Sequence, residues 1–406
     1  MGEPESMMNR RLSMTAVFVA VLTSWHPASA QEPTVRPGFT FTPSFGFSEL
    51  YDDNITLFGR RDAAEIESDD FITSYSPQAQ LHYVGRRTNV GGGYGASLLD
   101  YRTFSRFNRW DQQANATLRR TETARLSWGI HGTMLMTPST DALDFAGIPF
   151  SPTGATTLNG RANMDYALTR RDSVSASFQL QKISFERNDD PLLPYLRGGR
   201  SSEATGSYRR RMSARTAIGA SYGLRRASAI DEPEDLRFHA TRGSVEFIIS
   251  ERWSVDGGAG LDFVMATPSM PAQRAPAFSV SATRSDGLRR FHVGYQRLFL
   301  PSFGFGGAMQ SQDANVTFYA PLFGSRRFYT EQGATFHDSV PLVEGPGRLK
   351  LRSFRTNSRI GWAPRPWVRL EGFYSRVMQT TLIPGGAIDR NRIGFVIVTS
   401  RPMRVQ

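Results

Sequence analysis

Residues 39–48 read Phe39-Thr40-Phe41-Thr42-Pro43-Ser44-Phe45-Gly46-Phe47-Ser48. Phenylalanine falls on odd positions and Thr, Ser or Gly on even ones, so the hydrophobic period is two and the segment reads as a strand. Its faces want different surroundings. A second sheet could cover the aromatic face of a sandwich, but aromatics on one side and small polar residues on the other also describe a wall with lipid outside and water inside. The remaining chain decides between them.

Alternation recurs along the sequence. Phe71, Tyr75, Leu81 and Tyr83 oppose Ser74, Gln78, Gln80 and His82, and Val90, Tyr94, Ala96 and Leu98 oppose Gly91, Gly93, Gly95 and Ser97. Further on, Leu126, Trp128, Ile130, Met134 and Met136 oppose Ser127, His131 and Thr133, and Leu158, Ala162, Met164 and Tyr166 oppose Asn159, Arg161, Asn163 and Asp165. Each segment has about the length of a tilted strand that crosses a bilayer. The segments Arg237 to Ile249, Ala314 to Ala320 and Arg326 to His337 alternate less cleanly.

The connections alternate too. Long gaps run Asp52 to Asp70, Arg102 to Arg109, Pro138 to Thr157, Glu186 to Ser202, Ala227 to Leu236, Ala266 to Ala275, Pro301 to Gln312, Asp338 to Arg348 and Thr381 to Asp389. Between them, tight turns fall near Gly85, Arg120, Arg170, Ser213, Ser250, Asp286, Leu322 and Ala363. A sandwich has no reason to shorten every second connection, whereas an outer-membrane barrel has short periplasmic turns and longer outer loops. The pattern therefore predicts an all-β fold, a transmembrane antiparallel up-and-down β-barrel of about 18 strands, with 16 as the alternative and both termini periplasmic.

Composition fits an exported envelope protein. Arg10 and Arg11 precede an apolar run from Met14 to Leu22, and Ala28-Ser29-Ala30 supplies a small-residue cleavage site. Residues 1–30 thus read as a cleaved signal peptide and 31–406 as the barrel, with Met7 or Met8 as alternative starts to Met1. No later apolar run approaches the roughly 20 residues of a membrane helix. With no cysteine, disulfides and thiolate metal sites are excluded.

The formal charge of +11 is carried almost wholly by arginine, Lys182 and Lys350 being the only lysines. Dispersed arginines behind an export signal argue against nucleic acid. Arginine gathers at the short turns (Arg86, Arg87, Arg119, Arg120, Arg170, Arg171), while acid gathers in the long loops (Asp62, Glu65, Glu67, Asp189, Asp190, Asp231, Glu232). Those acids either bind divalent ions or repel anions, or are simply solvated charges.

No catalytic, metal or cofactor motif emerges, and the chain reads as a non-enzyme. His82, His131, His239, His292 and His337 stand on separate strands. A hydrolase would need a serine beside one of them, oriented by a third polar group.

Parity places Arg161, Arg209, Arg355, Arg359 and Arg369 on the inner face, with Asp165, Asp256, Asp262 and Glu371. A charged residue at the lipid midplane costs roughly 2–4 kcal/mol, so these belong in the lumen. They either form a track that attracts anions through forked hydrogen bonds or pair with the inward acids and stiffen the wall. Tyr51, Tyr101, Phe104, Trp110, Phe185, Trp253, Trp362 and Trp367 sit at strand ends, the depth of an interfacial aromatic belt.

The tetrapeptide Tyr51-Asp52-Asp53-Asn54, followed by Ser74-Tyr75-Ser76-Pro77 and Gly85-Arg86-Arg87-Thr88, resembles the outer-membrane β-barrel porins associated with exopolysaccharide synthesis and export loci. That resemblance implies a conduit for an extracellular polysaccharide or other polar anionic solute, with a periplasmic export partner, the barrel assembly machinery and outer-membrane lipid around it. The residues themselves leave open a general or oligosaccharide-uptake porin and a non-conducting structural or adhesive barrel. Physically, Asp-Asp-Asn is also a good loop start. The C-terminus lacks the terminal aromatic residue common in such barrels, leaving Phe395 and Val405 as candidate substitutes.

Overall fold

The computed structural model describes residues 37–57, 68–140, 153–186, 196, 198–229, 234–303, 307–343, 350–381 and 387–405. The expected signal peptide and the loop acids Asp62, Glu65, Glu67, Asp189, Asp190, Asp231 and Glu232 lie outside the described residues.

Alternation becomes one sheet. The first six strands are β1 (Gly38–Asp52), β2 (Asp70–Val84), β3 (Thr88–Tyr101), β4 (Arg109–Thr121), β5 (Leu126–Thr137) and β6 (Ala155–Ala167). The next six are β7 (Asp172–Phe185), β8 (Gly199–Arg211), β9 (Thr216–Ala229), β10 (Asp235–Ser250), β11 (Trp253–Val264) and β12 (Gln273–Ser285). The rest are β13 (Arg290–Pro301), β14 (Ala308–Leu322), β15 (Ser325–Pro341), β16 (Leu351–Arg365), β17 (Val368–Thr381) and β18 (Ile388–Ser400), followed by the short β19 (Met403–Val405).

Each of the eighteen long strands pairs antiparallel with its sequence neighbour, and β1 closes the ring on β18. Closure leaves no open edge, which is the form a lipid-embedded sheet requires. The count settles at eighteen because the three weakly alternating segments all pair in full, as β10, β14 and β15.

β19 continues along the same edge of β1, with Phe41 opposite Met403 and Phe39 opposite Val405. The ladder is interrupted where Pro43 and Pro402 lack amide hydrogens, and the Arg401 amide donates to the Pro43 carbonyl at 3.2 Å. The polar tail is thus part of the closing seam.

One end of the barrel carries the short turns. Between β14 and β15 the loop is only Phe323-Gly324, with φ of 54° and 65°, the double left-handed conformation of a two-residue hairpin turn. Phe323 is 89% exposed there.

Large apolar side chains project outward all round, among them Phe45, Tyr94, Ile130, Leu180, Val245, Leu261, Ile360 and Phe395. Such a continuous surface exceeds anything a soluble monomer shows to water. No helix in the described residues is long and apolar enough to cross a membrane.

Buried apolar residues collect at the long-loop end. Ile55, Ile72 and Tyr101 form one cluster with Leu99, Phe104 and Phe107, and Ala155, Ile183 and Phe303 form another with Leu135 and Phe185. Tyr101, Phe104 and Phe185 therefore pack in these clusters and not in an outer belt. Burying their rings against neighbouring apolar side chains removes them from water without lipid. Tyr101 faces the same way as its inward cross-strand partner Ile72.

The third cluster shows what narrows this mouth. β12 and β13 stop pairing at Phe278 and Arg297, whereas β13 and β14 continue to Pro301 and Ala308. The β13–β14 hairpin turns inward over the lumen, packing Phe299 against Leu236, Phe238 and Val264. The Phe299 amide is held by Asp262 Oδ2 at 2.8 Å. Beyond it, Phe303 reaches Ala155 and Ile183 on β6 and β7, and Gly199 leaves room for its ring.

Candidate functional site

The inner face follows from the cross-strand register. Starting from Arg161, the row runs through Gln179, Glu203, Arg225 and Phe238, and from Asp165 through Ser175, Ser207, Ser221 and Arg242. These rows alternate with the apolar outward rows, so every inward candidate named from sequence parity stands on the lumen side. What the register could not state is what each one touches.

At the long-loop end the tetrapeptide Tyr51-Asp52-Asp53-Asn54 joins the first strand to the last. Asp52 is fully buried and accepts from Arg390 Nε at 2.8 and 2.9 Å and from Arg392 Nε at 2.8 Å. Asp53 accepts from the Asn391 backbone and side-chain amides, both at 2.6 Å. The Asn54 amide donates to Asp52 Oδ1 at 3.1 Å, and its side chain donates to the Asp389 carbonyl at 3.2 Å. Tyr51 hydroxyl donates to Asp69 at 3.0 Å. Beyond being a good loop start, the motif closes the ring.

The same wall binds three more candidates into a network. Arg369 Nε lies 2.9 Å from Glu371, Arg359 lies 3.9 Å from it, and the Tyr329 hydroxyl donates to it from β15. Tyr329 reaches β17 across β16 because Gly361, its register partner, has no side chain; a Cβ there would collide with the tyrosine ring. Arg355 lies on the same inward face of β16 in a different row, between Thr335 and Val377.

Across the barrel, Arg209 crosses the Gly219 position of β9 to bond Glu246 Oε2 through Nε at 3.1 Å. Arg225 bonds Glu203 at 2.7 Å and Arg242 bonds Asp262 at 2.5 Å. Asp165 accepts from Asn163 at 3.3 Å and Asp256 from Ser281 at 3.4 Å. Much of the inward arginine is thus tied to inward acid, the second of the two sequence readings.

Arg119 and Arg161 differ. They flank His131, which is the register partner of Arg161, while Gly129 opposite Arg119 leaves space beside it. All three are exposed, and among the described residues neither arginine is hydrogen-bonded to or paired with another side chain. They line a cavity of about 1070 Å³ whose wall runs from β4 to β14 and includes Arg209, Asp165, Asp256 and Asp313. An adjoining space of about 490 Å³ shares Arg119, His131 and Asn163. The wall carries both signs of charge, so it is no uniform basic track. Its unneutralised cations are confined to β4–β6. In the sequence Arg119 sits next to Arg120 and reads as one of a turn pair, which hides its place in the lumen; its odd parity, shared with Thr117 and Asn115, marks it as inward.

Among the described residues no group of three His, Asp or Glu is placed to hold a metal ion.

No family model matches the chain, and no curated protein matches it. Solved structures do resemble it. Acinetobacter baumannii OccAB4 matches at 9% identity and a TM-score of 0.47, covering 90% of this chain and 98% of that one. Pseudomonas aeruginosa OccK9 (OpdG) matches at 11% identity and a TM-score of 0.46, again covering 90% and 98%. Pseudomonas aeruginosa OpdK, solved with vanillate, matches at 10% identity and a TM-score of 0.44, covering 89% and 99%. The overlap spans nearly the whole of each barrel but is loose, and the functional argument rests on this chain's own lumen.

Proposed function

We propose that the protein is an outer-membrane channel for small polar solutes, of the general-diffusion or uptake type, with both termini in the periplasm. The observation that carries this reading is the cavity of about 1070 Å³ enclosed by the polar inner face of β4–β14, inside a ring whose outer face is apolar. An eighteen-strand ring is wide enough to hold an aqueous channel. Lipid meets the outer face, and the barrel assembly machinery is the partner that inserts it.

Small solutes fit better than a polymer. The β13–β14 hairpin crosses the mouth and brings Phe303 to the β6–β7 wall, narrowing the path that an extruded exopolysaccharide would need. Inside, Arg119 and Arg161, on either side of His131, offer charge-assisted donors to an anionic group, and Asp165, Asp256 and Asp313 offer acceptors to hydroxyl or cationic groups. The arginines tied to Asp52 and Glu371 stiffen the wall.

The refolded chain in a planar bilayer should show steady conductance without any partner. Small sugar acids added to one side should reduce it more than neutral sugars of the same size. A correctly folded barrel without conductance would refute the channel reading and favour a structural barrel.

A further inference from the structure

We propose that Ser339, His337 and Asp313 form an acyl-transfer site on the inner face of β14 and β15, with Ser339 as nucleophile toward small esters that enter the lumen. Ser339 Oγ lies 2.5 Å from His337 Nε2, and Nδ1 of the same ring is hydrogen-bonded to Asp313 Oδ1. The other carboxylate oxygen accepts from Ser311 Oγ at 3.1 Å and from Gln296 Nε2 at 3.2 Å.

The strand register builds this alignment. His337 and Ser339 are two residues apart on β15 and share a face, and their cross-strand partners on β14 are Asp313 and Ser311. An ionised carboxylate only accepts, so the ring proton sits on Nδ1 and the lone pair on Nε2. The Ser339 hydroxyl therefore donates to the ring. This is the polarity that a general base needs in order to activate a serine, with the acid holding the tautomer. Ser311 contacts the carboxylate and approaches Nδ1 at 3.4 Å, which is the wrong nitrogen for activation. His82, His131, His239 and His292 show no such serine–histidine–carboxylate chain in the described hydrogen bonds.

In the reaction, a bond forms between Ser339 Oγ and the ester carbonyl carbon as the hydroxyl proton passes to His337 Nε2. The carbon–oxygen bond to the alcohol then breaks, and the alcohol leaves with that proton. Water repeats the sequence on the acyl-serine, releasing the acid and restoring the hydroxyl. Asp313 and Gln296 are on the wall of the large cavity, so the lumen meets the triad at its carboxylate end. Ser339 itself is fully covered, His337 is 8% exposed and neither lines the cavity, so an ester reaches Ser339 only when the side chains that cover it move aside.

The test uses the folded full chain in detergent with diisopropyl fluorophosphate, followed by peptide mass spectrometry. A single adduct is expected on Ser339, absent from Ser339→Ala and unchanged in Ser177→Ala, a lumen serine outside the triad. His337→Gln and Asp313→Asn should each slow labelling by about 10²-fold or more, the usual weight of general-base assistance. The wild-type chain should hydrolyse p-nitrophenyl acetate with the same dependence on these residues. No adduct on Ser339 in a barrel shown to be folded by gel mobility and far-ultraviolet circular dichroism would overturn the proposal. So would an adduct formed at the same rate in His337→Gln.

Discussion

Two groups of inward arginines stand on different arcs of this barrel and do different work. On the closing side, Arg390 and Arg392 converge on Asp52, and Arg359 and Arg369 on Glu371, all of them within a buried or half-buried wall. On β4–β6, Arg119 and Arg161 flank His131 with their guanidinium groups exposed to the cavity. The same residue type on the same inward face becomes a fastening where a neighbouring strand supplies an acid, and a free positive charge where the flanking residues are Asn89 and Gly129, as at Arg119, or His131 and Gln179, as at Arg161. Strand alternation decides only that a charge is inside.

The largest effect should come from the seam. Asp52→Ala leaves two guanidinium groups facing a fully buried gap, and removing one partner of a buried pair costs about 3–5 kcal/mol. Urea unfolding of the barrel in lipid vesicles should show that loss. A change below about 1 kcal/mol would erase the distinction between the two walls.

A smaller effect lies at the short turns, which belong to neither wall. In the β4–β5 turn, Glu122 is held below the usual carboxylate range chiefly by its hydrogen bond from Arg120. In the β12–β13 turn, Asp286 is held low chiefly by the Arg289 backbone amide. A lowered folded pKa means that both acids stabilise the fold above the unfolded carboxylate range, near pH 4, and lose that contribution as pH falls through the folded value. Unfolding midpoints at pH 7 and pH 3 should differ less in a Glu122→Gln, Asp286→Asn double variant than in the wild type. Equal differences in both proteins would show that these turns do not report on acid stability.

Much of the fold could be read from the chain, because period-two alternation and the long-short rhythm of connections are both local. Even the weak strands β10, β14 and β15 fell between clear turns, although their faces are blurred. β14 turns Gln310 and Gln312 outward, and β15 turns Thr330 and Gln332 outward. The side on which Arg161, Arg209, Arg355, Arg359 and Arg369 lie was equally legible.

Their partners were not legible. The Asp52–Arg390 contact spans 338 positions, and the Arg209–Glu246 and Tyr329–Glu371 contacts skip a strand over Gly219 and Gly361. Such contacts depend on ring closure and on a missing Cβ in the intervening strand. The inward β13–β14 hairpin was also hidden, although residues 301–307 read Pro-Ser-Phe-Gly-Phe-Gly-Gly, an aromatic and uncharged loop among acidic ones. An apolar loop at a polar mouth has reason to turn inside. The alignment of Ser339, His337 and Asp313 needed the register between β14 and β15, which no spacing in the chain reveals.

The central claim, that unneutralised cations on β4–β6 set the selectivity of the lumen while the seam arginines fasten its wall, is tested by reversal potentials across a salt gradient. Two double variants would be compared with the wild type in planar bilayers: Arg119→Gln with Arg161→Gln, and Arg359→Gln with Arg369→Gln. The account predicts a shift toward cation preference in the first, with stability changed by no more than about 0.5 kcal/mol. In the second it predicts an unchanged reversal potential together with a less stable barrel. Equal shifts in both variants, or no shift in the first, would contradict it.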